Sequence, residues 1–329
     1  MTNIVKVICF CFISLFTFNT TLIGARVINS PKADSVKRAF LQILQIQSYE
    51  DNFVGYTYDS DDVSFIDFTF SARTRIYPFD FLMNVLPKSY RQDLHLNFAF
   101  TARFGQYIGT RYSSPVIEKR FNPYLFLKYT PKVGFRNTSL IVGYGHESNG
   151  QSINDSVTFF KTAGFPHYTV NEAKDYISRG WDYYGSSIIS DFFPHRFSKL
   201  IFETDVSVKY YLSKGFLQGD KEEYRSWERA WSGVRFTRNE VNGISVSITC
   251  LKDSSLINRI SVGYETGIAK PLFNNSIKVL LGFNVGRFPL ALTYRYGYNG
   301  DISQYGKQTG SLGLTVIMQS FERPYNKMK

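Results

Sequence analysis

The amino-acid sequence predicts an all-β fold, a transmembrane antiparallel β-barrel of about 12 strands with a short N-terminal helix. Several segments alternate between apolar and polar residues with a period of two, as strands do when one face meets lipid. After the N-terminal region, the sequence lacks the run of about 18 or more apolar residues that a transmembrane helix needs. Aromatic residues make up 17% of the chain, which fits the girdles that flank the apolar band of such barrels.

The N-terminus predicts export from the cytoplasm. Lys6 precedes an apolar run at 7–16, and a small-residue site follows at Ile23-Gly24-Ala25. This order is that of a cleaved secretory signal, so residues 1–25 are predicted to be a signal peptide. An exported chain that crosses a membrane with strands is expected in the outer membrane of a Gram-negative-type bacterium.

Cysteine content, charge and motifs narrow the function classes. Removal of the signal peptide takes Cys9 and Cys11 away and leaves Cys250, so no internal disulfide is predicted. The formal net charge of +11 suits a surface rich in anionic lipid. The sequence has no Gly-rich phosphate loop after a strand and no nucleic-acid-binding motif, so nucleic acid is not an expected partner.

Residues 26–50 are predicted to form an N-terminal periplasmic segment that contains the short helix. Within 31–47, Pro31 follows Ser30, as at a helix start, and four apolar residues share one helical face: Val36, Phe40, Ile43 and Leu44. The barrel domain is predicted to cover residues 51–329.

The clearest strand segment is 94–104. Its first face carries apolar residues and its second face is mostly polar, reading Leu94, Leu96, Phe98, Phe100, Ala102, Phe104 against His95, Asn97, Ala99, Thr101, Arg103. The same alternation recurs at 202–212, 277–285 and 290–298, and the last of these ends in aromatic residues. A soluble β-sandwich also alternates, but its aromatic residues need not gather at strand ends.

The number of strands follows from these segments and from closure. Thirteen segments are strand candidates: 51–59, 62–73, 92–104, 121–131, 137–149, 181–191, 199–213, 226–237, 243–252, 257–268, 275–285, 287–298 and 309–321. Single-chain bacterial barrels close with an even number of strands, so we expect about 12. The alternation is weakest at 226–252, where the surplus candidate is expected.

The stretch 143–150 contains a candidate nucleophile and a candidate base. In a strand, His146 and Ser148 share one face with apolar residues, while Glu147 lies on the other face. A histidine can take the proton of a neighbouring serine and make it a nucleophile. Because the shared face of this pair would meet lipid, the stretch predicts hydrolysis of a lipid ester.

The predicted mechanism needs an oxyanion site beside the nucleophile. His146 would activate Ser148 and then protonate the leaving oxygen, and water would hydrolyse the acyl-enzyme. The backbone amides of Ser148 and Gly150, at a bend between strand and loop, are the predicted donors to the oxyanion.

Several blocks of this chain resemble the motifs of the outer-membrane phospholipase A family. The blocks are His146-Glu147-Ser148-Asn149-Gly150, Ser178-Arg179-Gly180-Trp181-Asp182, Ser113-Ser114-Pro115, Asn122-Pro123-Tyr124-Leu125-Phe126-Leu127, and 51–58. The resemblance implies a twelve-stranded barrel that hydrolyses acyl esters of membrane phospholipids, depends on Ca²⁺, and is activated as a reversible homodimer.

The resemblance also implies roles for individual residues. Asp182 would orient His146, and Ca²⁺ would bind the Gln151 carbonyl and the Ser178 hydroxyl of one subunit with the Ser113 hydroxyl of a second. The family usually has asparagine where this chain has Asp182. An amide can hold the same histidine tautomer and matches the family residue, so on sequence alone we expect Asp182→Asn to keep substantial activity and Asp182→Ala to lose much more. The charge of Asp182 next to lipid is a cost that the neutral amide avoids.

Two features near the motifs complete the sequence interpretation. The segment 151–178 contains Gly164, Pro166 and scattered polar residues, and is interpreted as a long loop above the site. Trp181 and Tyr183 are interpreted as interfacial anchors at the edge of the membrane.

Two other functions remain open from the sequence. A non-catalytic pore would make His146 and Ser148 incidental, although twelve strands leave little open lumen. A barrel that deacylates lipid A is the second alternative, because such proteins also carry an H-x-S-N motif; they look shorter, with the motif near the C-terminus. Release of fatty acid from phospholipid or from lipid A would separate the three.

Overall fold

A computed structural model describes residues 46–60, 63–76, 93–108, 117–131, 138–153, 156–162, 174–192, 200–218, 236–252, 256–286, 288–298, 302 and 305–318. The predicted signal peptide at 1–25 and, except for its last two residues, the predicted helix at 31–47 lie outside these ranges.

Twelve strands form the described barrel wall. They are β1 (Asn52–Asp59), β2 (Val63–Arg75), β3 (Leu94–Tyr107), β4 (Ile117–Tyr129), β5 (Ser139–Ser148), β6 (Gly180–Phe192), β7 (Leu200–Tyr211), β8 (Gly243–Lys252), β9 (Ile257–Gly267), β10 (Asn275–Val285), β11 (Phe288–Tyr298) and β12 (Gln308–Met318). Each strand pairs antiparallel with its neighbours in the chain, and β1 pairs with β12 to close the barrel. Closure leaves no strand edge unpaired, which a lipid environment requires. The predicted all-β fold with twelve strands is confirmed.

The outer face of the wall is apolar. On β11, Leu292, Tyr294 and Tyr296 are 42%, 48% and 52% exposed, while Arg295 between them faces inward toward Glu265. The alternation on the other strands is the same, and it forms an outer band of apolar and aromatic side chains around an interior that holds polar and charged side chains as well as aromatic ones. This is the surface of a membrane-spanning barrel. Among the described helices, none is both long and apolar enough to cross a membrane.

The interior is filled around the middle of β4, β5 and β6. A cluster of buried, mainly aromatic residues lies there: Ala99, Tyr124, Phe126, Ile141, Trp181, Tyr183, Tyr211, Val241, Ile302 and Tyr305. Tyr49, before β1, packs onto this cluster, with its ring centroid 5.5 Å from that of Phe126. Packing of this kind ties the segment before β1 to the strands that carry the predicted site.

Two connections differ from the sequence interpretation. The segment 151–178 is more than a loop, because it contains helix α1 (Ser156–Thr162) and a 3₁₀ turn at Lys174–Tyr176. The surplus strand candidate at 226–237 lies mostly outside the described residues, and its last two residues lead into helix α2 (Arg238–Val241). No strand is therefore needed there to close the barrel.

Candidate active site on the outer barrel face

Strand register brings the two predicted motifs together. His146 on β5 lies directly opposite Asp182 on β6, and Ser148 lies opposite Gly180. Residues of this parity face outward, as shown by Val142 and Tyr184, whose side chains are 62% and 59% exposed. His146, Ser148 and Asp182 therefore share the lipid-facing surface, although residues 151–177 separate the two motifs in sequence.

His146 is oriented by Asp182. Its Nδ1 lies 2.5 Å from Asp182 Oδ1, which leaves Nε2 as the nitrogen that can accept a proton. A Cβ added at Gly180 would lie 3.1 Å from both His146 Nε2 and Ser148 Cβ, so both side chains border the same small space. Within the described residues Ser148 and His146 do not form a hydrogen bond; such contacts often tighten when substrate binds.

The Asp182 carboxylate is completely buried and accepts hydrogen bonds at both oxygens. Tyr144 donates its hydroxyl to Oδ2 at 2.5 Å, and the backbone amides of Leu217 and Gln218 donate to the same oxygen at 2.7 and 3.2 Å. Sequence reasoning missed these donors. Tyr144 could have been found, since it lies two residues before His146 on the same face.

The segment after β7, residues 212–218, supplies the backbone donors, and we call it the acid loop. It is fixed at both ends to β6, because the Leu212 amide donates to the Asp182 carbonyl at 2.8 Å and the Asp182 amide donates to Gln218 Oε1 at 3.1 Å. In its middle, the Phe216 amide donates to the Tyr144 hydroxyl at 2.9 Å. The acid loop thus covers Asp182 on the outer side of the wall.

Asn149 fixes the end of β5. Its backbone and side chain bind Arg179, and its side-chain amide donates to the Ile177 carbonyl at 2.7 Å. Gly150 follows with φ 64°, a left-handed conformation that glycine adopts without strain. The Gly150 amide lies beyond the last hydrogen bond between β5 and the segment before β6, which the Asn149 amide donates to the Arg179 carbonyl. By strand alternation, the amide of Ser148 points toward β4.

The residues expected to bind calcium lie at the two ends of the 151–178 insert. The Ser178 amide donates to the Ile153 carbonyl at 2.6 Å, and Ile153 pairs with Ile177. These bonds hold the segment after Gln151 beside Ser178 despite the length of the insert. Ser113 lies outside the described residues.

On the inner face, Glu147 occupies the position between His146 and Ser148 and is 3% exposed. Four cationic or phenolic groups surround its carboxylate: Lys209 Nζ at 2.6 Å, the Tyr211 hydroxyl at 3.1 Å, Arg238 Nη2 at 3.3 Å and Arg120 Nη2 at 3.5 Å. Arg120 in turn binds Glu50 at 2.9 Å. This ion cluster anchors β5 to β7, to α2 and to the segment before β1, directly behind the site.

The interpretation of Trp181 and Tyr183 as interfacial anchors was wrong. Both side chains are inside the barrel, 3% and 1% exposed. They alternate with the outward-facing Asp182, so the pleat turns them inward. Trp181 packs edge-on against Tyr305, and the Tyr183 hydroxyl donates to Asn122 at 2.8 Å.

Comparison with solved structures finds this fold in known phospholipases. The chain matches outer membrane phospholipase A from Escherichia coli with a TM-score of 0.56 at 14% identity, over 83% of this chain and 98% of that one. The match to the Salmonella typhi outer membrane phospholipase dimer with bound calcium has a TM-score of 0.55 at 15% identity, and it covers 82% of this chain and 91% of that one. No protein-family model and no curated protein matches the sequence. The chain is thus an outer-membrane β-barrel with the fold of outer membrane phospholipase A.

Proposed function

We propose that this protein is an outer-membrane phospholipase that hydrolyses acyl esters of glycerophospholipids. The carrying observation is the 2.5 Å contact of His146 Nδ1 with a buried carboxylate, on the lipid-facing surface and two residues away from Ser148 on the same face of β5. A serine, a histidine and an acid in this order form the unit that activates a hydroxyl nucleophile.

In the proposed reaction, His146 Nε2 takes the Ser148 proton as Oγ attacks the acyl carbonyl. Asp182 holds the imidazole in the tautomer that makes this possible and stabilises the imidazolium. His146 then protonates the lysophospholipid oxygen, and a water molecule releases the fatty acid. The amide of Gly150, with that of Ser148 as the other predicted donor, would stabilise the oxyanion.

The filled interior favours an enzyme over an open pore. Beside the site, the lumen holds the buried aromatic cluster and the Glu147 ion cluster, in which Glu147 and Arg238 are buried and Lys209 and Arg120 are partly buried. A twelve-stranded barrel with its centre packed in this way leaves little room for solute passage.

The site is proposed to act on the outer leaflet. The segment at 51–59 is indeed the first described strand, so β5 runs in the same direction as β1. With both termini in the periplasm, the Ser148 end of β5 lies at the outer surface. Cleavage of the 151–178 insert by protease on intact cells would support this orientation.

The test of the proposed function compares two substrates. Refolded protein in detergent is expected to release fatty acid from diacylglycerophospholipid and to leave lipid A intact. Release from lipid A alone would favour the deacylase, and release from neither substrate, with calcium present, would rule out the proposal.

Calcium fits the described donors. The Gln151 carbonyl and the Ser178 hydroxyl are oxygen ligands suited to a hard cation, and both residues are partly exposed at adjoining chain segments. No carboxylate belongs to this set, so we expect modest affinity. A bound calcium would supply positive charge near the oxyanion.

We predict that calcium raises both hydrolysis and dimer formation. Titration of calcium against fatty-acid release and cross-linking in detergent should show both rising together, and Ser178→Ala should shift both curves to higher calcium. Ser113→Ala should do the same if a second subunit completes the site. Full activity and unchanged cross-linking in excess chelator would contradict this prediction without affecting the Ser148 chemistry.

A further inference from the structure

We infer that Tyr144 and the acid loop form a clamp that is specific for a carboxylate at position 182. The inference rests on the proposed function, since it assigns positioning roles to groups that act on His146 through Asp182. It also explains how this chain keeps an anionic residue on a surface that faces lipid.

The donors around Asp182 match a carboxylate and no other side chain of its size. Oδ1 faces His146 Nδ1, and Oδ2 accepts from the Tyr144 hydroxyl and from the amides of Leu217 and Gln218. An ionised carboxylate is an acceptor at every lone pair, so it can satisfy four donors at once. Charge-assisted hydrogen bonds of this kind are stronger than neutral ones.

Asparagine at position 182 could not satisfy the same donors. With its carbonyl toward His146, its NH₂ group would face the amides of Leu217 and Gln218, and donors would oppose donors. With its carbonyl toward the acid loop, its NH₂ group would face Nδ1. His146 would then carry its proton on Nε2 and could not accept one from Ser148.

The acid loop also removes the carboxylate from lipid. Asp182 is completely buried, whereas its outward neighbour Tyr184 on the same strand is 59% exposed. The close approach requires glycine at position 215, because a Cβ there would overlap the Asp182 side chain. The cost of a charge at the lipid surface is therefore met by four hydrogen bonds and a covering loop.

For Asp182→Asn, the clamp leads to the opposite expectation from the one drawn from sequence. We expect this variant to lose at least about 100-fold in kcat, with KM little changed, because the lost function is proton transfer and not lipid binding. Tyr144→Phe should lose less, since one donor of four is removed. Tyr184→Phe is the matched control, because it also removes one tyrosine hydroxyl from the same face but keeps the ring that packs against Tyr144.

Gly215→Ala tests the loop without changing a polar group. In the Asp182 protein, displacement of the loop should lower kcat. In the Asp182→Asn protein, the same displacement relieves the opposed donors and should raise kcat several-fold. Equal losses from Gly215→Ala in both backgrounds, or more than a tenth of the activity left in Asp182→Asn, would overturn the clamp.

A readout independent of activity separates this inference from the proposed function. Hydrogen exchange of the peptide covering 212–218 should be slow in the parent protein and in Ser148→Ala, and faster in Asp182→Asn and Asp182→Ala. Unchanged exchange in both Asp182 variants would overturn the clamp even in an active enzyme. The expected exchange pattern in a protein without hydrolytic activity would support the clamp and count against the proposed function alone.

Discussion

Ser148→Ala and His146→Ala are each expected to lower phospholipid hydrolysis by at least about 1,000-fold, because members of a catalytic unit fail together. The double variant should be no worse than either single one. The folded barrel should persist in all three variants, because both side chains lie on the outer surface of the wall. Of the two residues, only His146 contacts Asp182. Fatty-acid release and heat-modifiable migration on gels measure the two properties separately.

The control for this experiment is Ser186→Ala. Ser186 lies on the outward face of β6, exposed like the residues around the site, and its loss should leave hydrolysis unchanged. Retention of more than a tenth of the parent activity in Ser148→Ala or His146→Ala would remove the residue concerned from the mechanism. Loss of heat-modifiable migration would mean that the variant is not folded, and its loss of hydrolysis would then reflect folding and not catalysis.

The barrel itself was predictable from sequence, because the alternation that identifies each strand is visible within that strand's own segment. A strand between lipid and a polar interior must alternate at every second residue, and 94–104 or 290–298 show that alternation without any partner strand. The same rule places His146 and Ser148 outward and Glu147 inward. Pairing of His146 with Asp182 could be proposed only through the resemblance, because strand register depends on contacts between distant segments.

The alternation of side chains along β6 also fixes the direction of the residues next to Asp182. Once Asp182 is placed outward beside His146, its neighbours Trp181 and Tyr183 must point inward, and their interpretation as membrane anchors could have been rejected on sequence alone. The aromatic character of these residues gave the wrong signal, because the interior of this barrel is itself rich in aromatic residues.

The acid loop could not be predicted. Its donors to Asp182 are backbone amides, which every residue except proline carries, so Leu217 and Gln218 have no sequence signature. Gly215 is the one visible sign, and a glycine after a strand is common in turns. The ion cluster around Glu147 could not be predicted either, because Lys209, Arg120 and Arg238 come from three distant segments and meet only in the closed barrel.

Glu147→Gln is expected to produce the largest loss of stability. The substitution keeps the shape of the side chain and removes the charge that faces Lys209, Arg238 and Arg120. Removal of one partner from a buried ion pair costs about 3–5 kcal/mol, because Lys209 and Arg238 would keep their positive charges beside a neutral side chain inside the barrel. Since Glu147 lies between His146 and Ser148, a loosened β5 should also lower kcat.

Urea unfolding in lipid bilayers, followed by tryptophan fluorescence, would measure the change in the free energy of unfolding. Glu265→Gln is the matched control: Glu265 is also a glutamate on the inner face, but it is about one-third exposed and lies 3.4 Å from Arg295. Its loss should cost about 1 kcal/mol or less, because exposed ion pairs contribute little. Adding Lys209→Met to Glu147→Gln removes one of the uncompensated charges and should recover part of the lost stability. Equal stability of Glu147→Gln and Glu265→Gln would show that the cluster behind the site contributes no more than an ordinary lumenal ion pair.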